Sequence, residues 1–278
     1  MSEVIANSGL LSKTKVHVED TGGTGRPVVL IHGWPLSGQS WQDQVGPLSQ
    51  AGYRVVSYDR RGFGRSDKPH GGYDYDTLAD DLEGVLSELD LRDVTLVGFS
   101  MGGGEVARYI TKHGQDRLRS AVFAAAVPPY LAQTEDNPQG PLTQELADQM
   151  ETGLKEDRDT FFDQFMTQFF SVDGEMKVSE QQRQDAIALC HQSDQRAALA
   201  CMEAFGTTDF RGDLPNVTVP TLVIHGDGDG VVPFDGSGKR TQATIPHSEL
   251  VVLQDAPHGC NVSHPADFNR ALIGFLGR

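Results

Sequence analysis

The sequence predicts an α/β protein with a mostly parallel central sheet, and three observations carry that prediction. Short β-branched runs alternate with longer amphipathic ones. Several of the short runs are apolar at consecutive positions, as strands covered on both faces require. One of them runs directly into a Gly-x-Ser-x-Gly turn followed by a helical pattern. The expected strands are residues 15–19, 27–32, 54–58, 94–99, 120–125, 220–225 and 249–253; the expected helices are 39–50, 75–91, 101–113 and 266–276. Within 75–91, Leu78, Leu82, Val85, Leu86 and Leu89 recur at helical spacing while Asp80, Asp81, Glu83 and Glu88 take the other face. From Pro128 to Pro220 no strand is expected, far more chain than a crossover needs. Its acidic amphipathic helices include a stripe of Phe161, Phe162, Phe165, Met166, Phe169 and Phe170. The organisation expected is one domain over 1–278, with a helical cap inserted at about 128–214, its aromatics partly lining a pocket.

Composition narrows the partners. The 278 residues suffice for a large buried core. Lys plus Arg is 23 and Asp plus Glu is 39, so the formal net charge is −16. Nucleic-acid binding rests on basic side chains displacing counterions from phosphates, so it is excluded, and an anionic membrane surface is disfavoured on the same ground. A neutral small molecule is the expected ligand. The longest apolar runs, such as Val28-Val29-Leu30-Ile31, are strand-sized, so no spanning helix is expected. Residues 1–25 lack a basic segment followed by a long apolar one, so no secretory leader is expected. Cys190, Cys201 and Cys260 form an odd, sparse set without Cys-x-x-Cys spacing, which reads as free thiols in a reducing cytoplasm rather than disulfides or a zinc site.

The chemistry is concentrated in Gly98-Phe99-Ser100-Met101-Gly102, placed between a strand and a helix. This is a nucleophile elbow, which holds a serine at the tip of a strained turn where glycine neighbours avoid crowding. The helix that follows directs free N–H groups at the place where negative charge develops in acyl transfer. A serine needs a base, and the base needs an orienting acid. In this architecture the acid and then the histidine follow the serine in the chain. The strand at 220–225 runs into Gly226-Asp227-Gly228-Asp229. Asp229 is the expected acid, because its offset from the strand lets the loop turn back toward Ser100; Asp227 is expected to hydrogen-bond the turn. Among nine histidines, His258 lies in a loop immediately past the last strand and is the expected base. His225 ends a strand and is assigned to core packing, and His264 to the start of the last helix. The oxyanion donors expected are the backbone N–H of Met101 and that of Trp34, in His32-Gly33-Trp34-Pro35. The same two residues are the expected substrate contacts.

These segments resemble the α/β-hydrolase superfamily across the whole chain, and more closely its cofactor-free haloperoxidase, perhydrolase and arylesterase branch. The likeness is carried by His32-Gly33-Trp34-Pro35-Leu36-Ser37-Gly38, Tyr58-Asp59-Arg60-Arg61-Gly62-Phe63-Gly64-Arg65-Ser66, Tyr73-Asp74-Tyr75-Asp76, the elbow continuing through Gly103-Gly104-Glu105-Val106-Ala107-Arg108-Tyr109, His225-Gly226-Asp227-Gly228-Asp229 and Ala256-Pro257-His258-Gly259. It implies a Ser100–Asp229–His258 triad, a helical cap, and no metal or prosthetic group. Dehalogenases and epoxide hydrolases of this fold carry Asp at the elbow, so Ser100 argues against both. Gly103 and Gly104 are expected to leave the helix start open.

The expected activity is hydrolysis of small neutral esters through an acyl-enzyme. Hydrogen peroxide in place of water would give a peracid that oxidises halide outside the site. Pro35 restricts the backbone of Trp34, and a Trp34 carbonyl turned into the site would accept the additional O–H of peroxide. Lactones or a strained lactam suit the same machinery, and a small-molecule receptor that keeps the fold is the alternative from another class. The partners expected are thus a small ester or lactone, or a carboxylic acid with hydrogen peroxide, with self-association into a homo-oligomer left open.

Overall fold

The computed structural model describes residues 2–7 and 13–278, so the leader reading falls partly outside the described residues, at 1 and 8–12. The chain opens with β1 (Ser2–Asn7) and β2 (Lys13–Asp20), followed by β3 (Pro27–Ile31). A 3-10 turn at Gly38–Trp41 leads into α1 (Gln42–Gln50), then β4 (Arg54–Tyr58), α2 (Tyr75–Glu88), β5 (Val94–Phe99), α3 (Met101–His113) and β6 (Leu118–Ala124). An insertion follows, with α4 (Gln144–Glu156), α5 (Arg158–Phe169), a short hairpin of β7 (Ser171–Val172) and β8 (Glu175–Met176), α6 (Glu180–His191) and α7 (Gln195–Thr207). The chain then returns through β9 (Thr221–Gly226), α8 (Gly238–Thr244), β10 (Glu249–Leu253), α9 (Cys260–Ser263) and α10 (Pro265–Leu276).

Eight strands form one sheet in the order β1-β2-β4-β3-β5-β6-β9-β10. β1 and β2 pair antiparallel, as do β2 and β4; from β4 to β10 every pair is parallel. The inner parallel strands are apolar because both faces are covered, and every residue of β5 is buried. Five helices, α2 and α4 to α7, begin where a side chain caps them. The Asp74 carboxylate accepts from Thr77 N–H at the start of α2, and Ser179 and Gln182 form a reciprocal capping box at the start of α6. α10 has Pro265 in its first turn, after His264 at the N-cap position.

The structure departs from the sequence-based expectations in several places. β1 was not anticipated: its six residues are defined by pairing with β2, from Ser2↔Val18 to Asn7↔Lys13, and not by a pattern of their own. α8 is seven residues long and begins at a glycine, too short for a periodicity signal. The β7–β8 hairpin lies in the stretch expected to be strandless. Asp81 is not on a solvent face of α2; it is buried in a paired contact with Arg61 at 2.5–2.6 Å.

A charged cluster ties the elbow helix to the sheet. Glu105, on α3, accepts from Arg60 Nε at 2.8 Å and from the Tyr58 hydroxyl. Arg60 also donates to the His32 carbonyl at 2.7 Å, at the end of β3. Arg60 and Glu105 are each 1% exposed in their side chains. Charges this deep are tolerated only as a pair, and removing one member leaves the other uncompensated. Glu105→Gln should therefore cost about 3–5 kcal/mol of stability. Denaturant unfolding checks this: the midpoint should fall well below wild type, and a loss under about 1 kcal/mol would show that the pair is not holding α3.

Candidate active site

The C-terminal ends of β3, β5 and β6 converge on Ser100, which follows β5 directly; Ile31 pairs with Gly98 and Phe99 with Ala124. Ser100 has φ +54° and ψ −119°, a left-handed conformation that a residue with a Cβ rarely adopts. Close packing imposes it. A Cβ on Gly98 would run into the Gly102 backbone, and one on Gly102 would sit 2.5 Å from the Ile31 carbonyl oxygen. Ser100 N–H donates to the Ala124 carbonyl at 2.9 Å, and the Ser100 carbonyl accepts from Val127 N–H at 3.2 Å. The serine is thus held on the β6 side as well as by its own helix.

Gly103 and Gly104 do not leave the helix start open. A Cβ on Gly103 would collide with the Ala126 Cβ, and one on Gly104 would sit 2.5 Å from the Phe210 ring. Both glycines are bare because neighbours occupy that space.

Ser100, His258 and Asp229 lie in one hydrogen-bonded row. His258 Nε2 is 2.9 Å from Ser100 Oγ, and His258 Nδ1 is 2.7 Å from Asp229 Oδ2. With Nδ1–H donating to the carboxylate, Nε2 faces the serine as an acceptor. Asp229 Oδ1 accepts from Val231 N–H at 2.9 Å and Val232 N–H at 2.7 Å. Burial pushes the Asp229 carboxyl up, but the His258 charge and the hydrogen bonds from His225 and His258 outweigh it and hold it well below the usual carboxylate range. Asp227 lies apart from this row; its Oδ1 accepts from Asp255 N–H at 2.7 Å, at the start of the loop that carries His258.

His225 is buried in the core, as its strand position suggested, yet it does more than pack. Its Nε2–H donates to the Val232 carbonyl at 2.8 Å and lies 3.1 Å from the same Asp229 Oδ2 that faces His258. Its Nδ1 is buried without a hydrogen-bond partner. Sequence reasoning missed this contact. The four-residue spacing from His225 to Asp229 was visible, but a loop that folds back on its own strand gives no periodic signal.

The loop after β3 stands beside the serine. Gly33 packs on the Phe99 ring, and a Cβ there would sit 3.0 Å from Ser100 Cβ. Neither Trp34 N–H nor Met101 N–H donates to a protein acceptor among the described residues. His32 anchors the loop, with Nδ1–H donating to the Gly33 carbonyl and Nε2 accepting from Arg60 N–H, both at 2.9 Å. Burial, reinforced by the Arg60 charge, depresses His32 to about 3, so it is neutral at physiological pH. The Trp34 ring is buried; its Nε1–H donates to the Ala198 carbonyl of α7 at 2.9 Å.

The inserted helices close over this floor. The Phe169 ring meets His258 edge-on at 4.8 Å between centroids, and its carbonyl accepts from Gly259 N–H. Gln168 donates to the Gly230 carbonyl in the acid loop. Below them lies a cavity of about 190 Å³ that reaches Ser100, walled by Trp34, Val127, Leu131, Phe161, Phe165 and Phe205 among others. Cys260, next to this site, is buried, and burial raises its thiol far above the ordinary range, so it stays protonated. Among the described residues, no group of three or more His, Cys, Asp or Glu side chains is arranged to hold a metal ion.

Comparison with known proteins places this geometry in a lineage. A sequence model described as the alpha/beta hydrolase fold matches residues 26–265. The chain is 45% identical over 260 residues to a non-heme chloroperoxidase of Kitasatospora aureofaciens, covering 92% of this chain and 94% of that one. It is 35% identical over 264 residues to a bifunctional esterase/perhydrolase of Acinetobacter calcoaceticus, covering 94% and 95%. A crystal structure of a bromoperoxidase from Bacillus anthracis superposes with a TM-score of 0.96 at 48% identity, covering 100% of this chain and 99% of that one. With a strained serine at the end of β5 and a family match that spans most of its length, the chain belongs to the α/β-hydrolase family, in its non-heme haloperoxidase branch.

Proposed function

We propose that the protein is a serine esterase acting on small neutral carboxylic esters, with perhydrolase and hence haloperoxidase activity through the same acyl-enzyme. The observation that carries this is the Ser100–His258–Asp229 row, whose serine lines an apolar cavity. The relatives' names, non-heme chloroperoxidase and esterase/perhydrolase, support the same reading. In this mechanism Ser100 Oγ attacks the ester carbonyl as His258 Nε2 takes its proton. Asp229 fixes the tautomer of His258 and stabilises the imidazolium that forms. Trp34 and Met101 N–H groups bind the oxyanion. His258 then protonates the departing alkoxide. Water attacks the acyl-enzyme to release the acid; hydrogen peroxide attacks it to release a peracid, and Ser100 recovers its proton through His258 in either case. The peracid oxidises halide after leaving the site. The helical insertion acts as a cap that shapes the substrate cavity. The net charge of −16 favours a neutral substrate over nucleic acid or an anionic membrane surface. No helix among the described residues is long and apolar enough to cross a membrane. The buried free thiols suit a cytoplasmic setting.

Ser100→Ala should lower turnover of p-nitrophenyl acetate by about 10⁴–10⁶-fold while the melting transition is kept. A variant with more than about a tenth of the wild-type rate would sink the assignment of Ser100 as the nucleophile. Asp229→Asn should be far more damaging than Asp227→Asn, because only Asp229 faces His258; the reverse order in steady-state kinetics would show that the acid is misassigned. Bromination of monochlorodimedone by enzyme, peroxide and bromide should proceed in acetate buffer and stop in phosphate, where no peracid can form. Equal bromination in both buffers would remove the perhydrolase half of the reading and leave the esterase half.

A further inference from the structure

A second chamber of about 160 Å³ lies in the insertion, between α4, α7 and the loop at 132–143. It adjoins the cavity at Ser100, for Leu142, Met150 and Phe205 line both. These three side chains form the partition. Leu142 is fixed from both sides: its N–H donates to the Leu131 carbonyl at 2.9 Å and its own carbonyl accepts from Gln133 N–H at 2.7 Å. Its side chain rests on bare Gly206 of α7, where an added Cβ would sit 3.1 Å from Leu142 Cδ2. Beyond the partition the chamber is apolar inside, with Ala147, Leu199 and Met202, and opens between polar side chains at its rim.

The partition also has a side. The leaving alcohol takes its proton from His258, so it departs next to the acid loop, where Val231 and Val232 line the cavity and hold Asp229. Phe205 stands with Trp34, its ring 5.6 Å from the Trp34 ring. The acyl group, on the side of the cavity away from the acid loop, therefore faces Phe205 and the partition, which line both chambers.

We propose that the second chamber is a distal acyl subsite: the far end of an aliphatic acyl chain passes Leu142, Met150 and Phe205 and lies between α4 and α7. The preferred substrates are then esters of medium-chain monocarboxylic acids and not only of the shortest. Asp148, Glu151 and Glu203 line the chamber and no basic side chain does, so an acyl chain ending in a carboxylate is disfavoured. This inference rests on the esterase reading above and specifies its substrate.

The test compares kcat/KM for p-nitrophenyl acetate and p-nitrophenyl octanoate in wild type, Ala147→Trp and Leu199→Trp. Both positions line the second chamber and not the cavity at Ser100. Wild type should turn over both esters. Each tryptophan should cut octanoate turnover by about tenfold or more and leave acetate within about twofold. Leu142→Ala, which widens the partition, should raise the octanoate-to-acetate ratio several-fold, and it decides the matter where a tryptophan variant does not fold. Wild type that accepts acetate but not octanoate overturns the subsite and leaves the esterase reading standing. Octanoate turnover untouched by the folded tryptophan variants, equal loss of both esters in them, or an unchanged ratio in Leu142→Ala also overturns it. Failure of wild type on both esters overturns the esterase reading itself.

Discussion

The close approach of α3 to the ends of β3 and β6 is the constraint on which the rest of the structure depends. It leaves no room for a side chain at Gly98 or Gly102, and it bends the chain at Ser100 into a left-handed conformation. A non-glycine residue held there costs about 1–3 kcal/mol. Hydrogen bonds from Ser100 N–H to Ala124 and from Val127 N–H to Ser100 fasten the turn, and Glu105 clamps the following helix turn to Arg60 and Tyr58. The consequence is a hydroxyl set at the C-terminal edge of a parallel sheet, where strand ends and helix starts converge and ligands of open α/β folds bind. The Arg60–Glu105 pair, which braces the helix behind Ser100 and the His32 end of the loop that carries Trp34, thus supports the geometry of the site.

The insertion is bound to each part of the floor beneath it. α7 holds the Trp34 ring through Ala198, α5 presses Phe169 against His258, and Gln168 reaches the Gly230 carbonyl of the acid loop. The segment that shapes the cavity therefore also packs on the loop of Trp34, on His258 and on the loop of Asp229. A change in the insertion that favours one substrate would be felt at all three, which ties selectivity to alignment.

Much of this architecture was legible in the sequence, and the boundary is physical. Strands of the parallel core are apolar runs whose composition follows from burial on both faces, so β3, β4, β5 and β9 could be read directly; β10, at the sheet edge and only partly buried, was legible from its short β-branched run. The elbow was legible because Gly98 and Gly102 flank Ser100 in a fixed local pattern between a strand and a helix, although the contact that keeps Gly102 bare comes from Ile31 on β3. Asp229 and His258 were singled out by chain order and strand position, and the structure brings both to Ser100. What escaped depends on contacts between distant segments. β1 exists through its pairing with β2, Asp81 is buried because Arg61 reaches it, and Gly103 and Gly104 are small because Ala126 and Phe210 approach from elsewhere. His225 touches the Asp229 carboxylate only because the loop between them folds back, and no local pattern encodes that.

Covalent labelling by phenylmethylsulfonyl fluoride, followed by intact-mass measurement and peptide mapping, tests the central claim most directly, since it asks whether this serine is activated where it stands. The account predicts a single sulfonyl adduct on the peptide containing Ser100, formed in step with loss of esterase activity and absent from Ser100→Ala. No adduct on wild type, or an adduct that persists in Ser100→Ala, would contradict it.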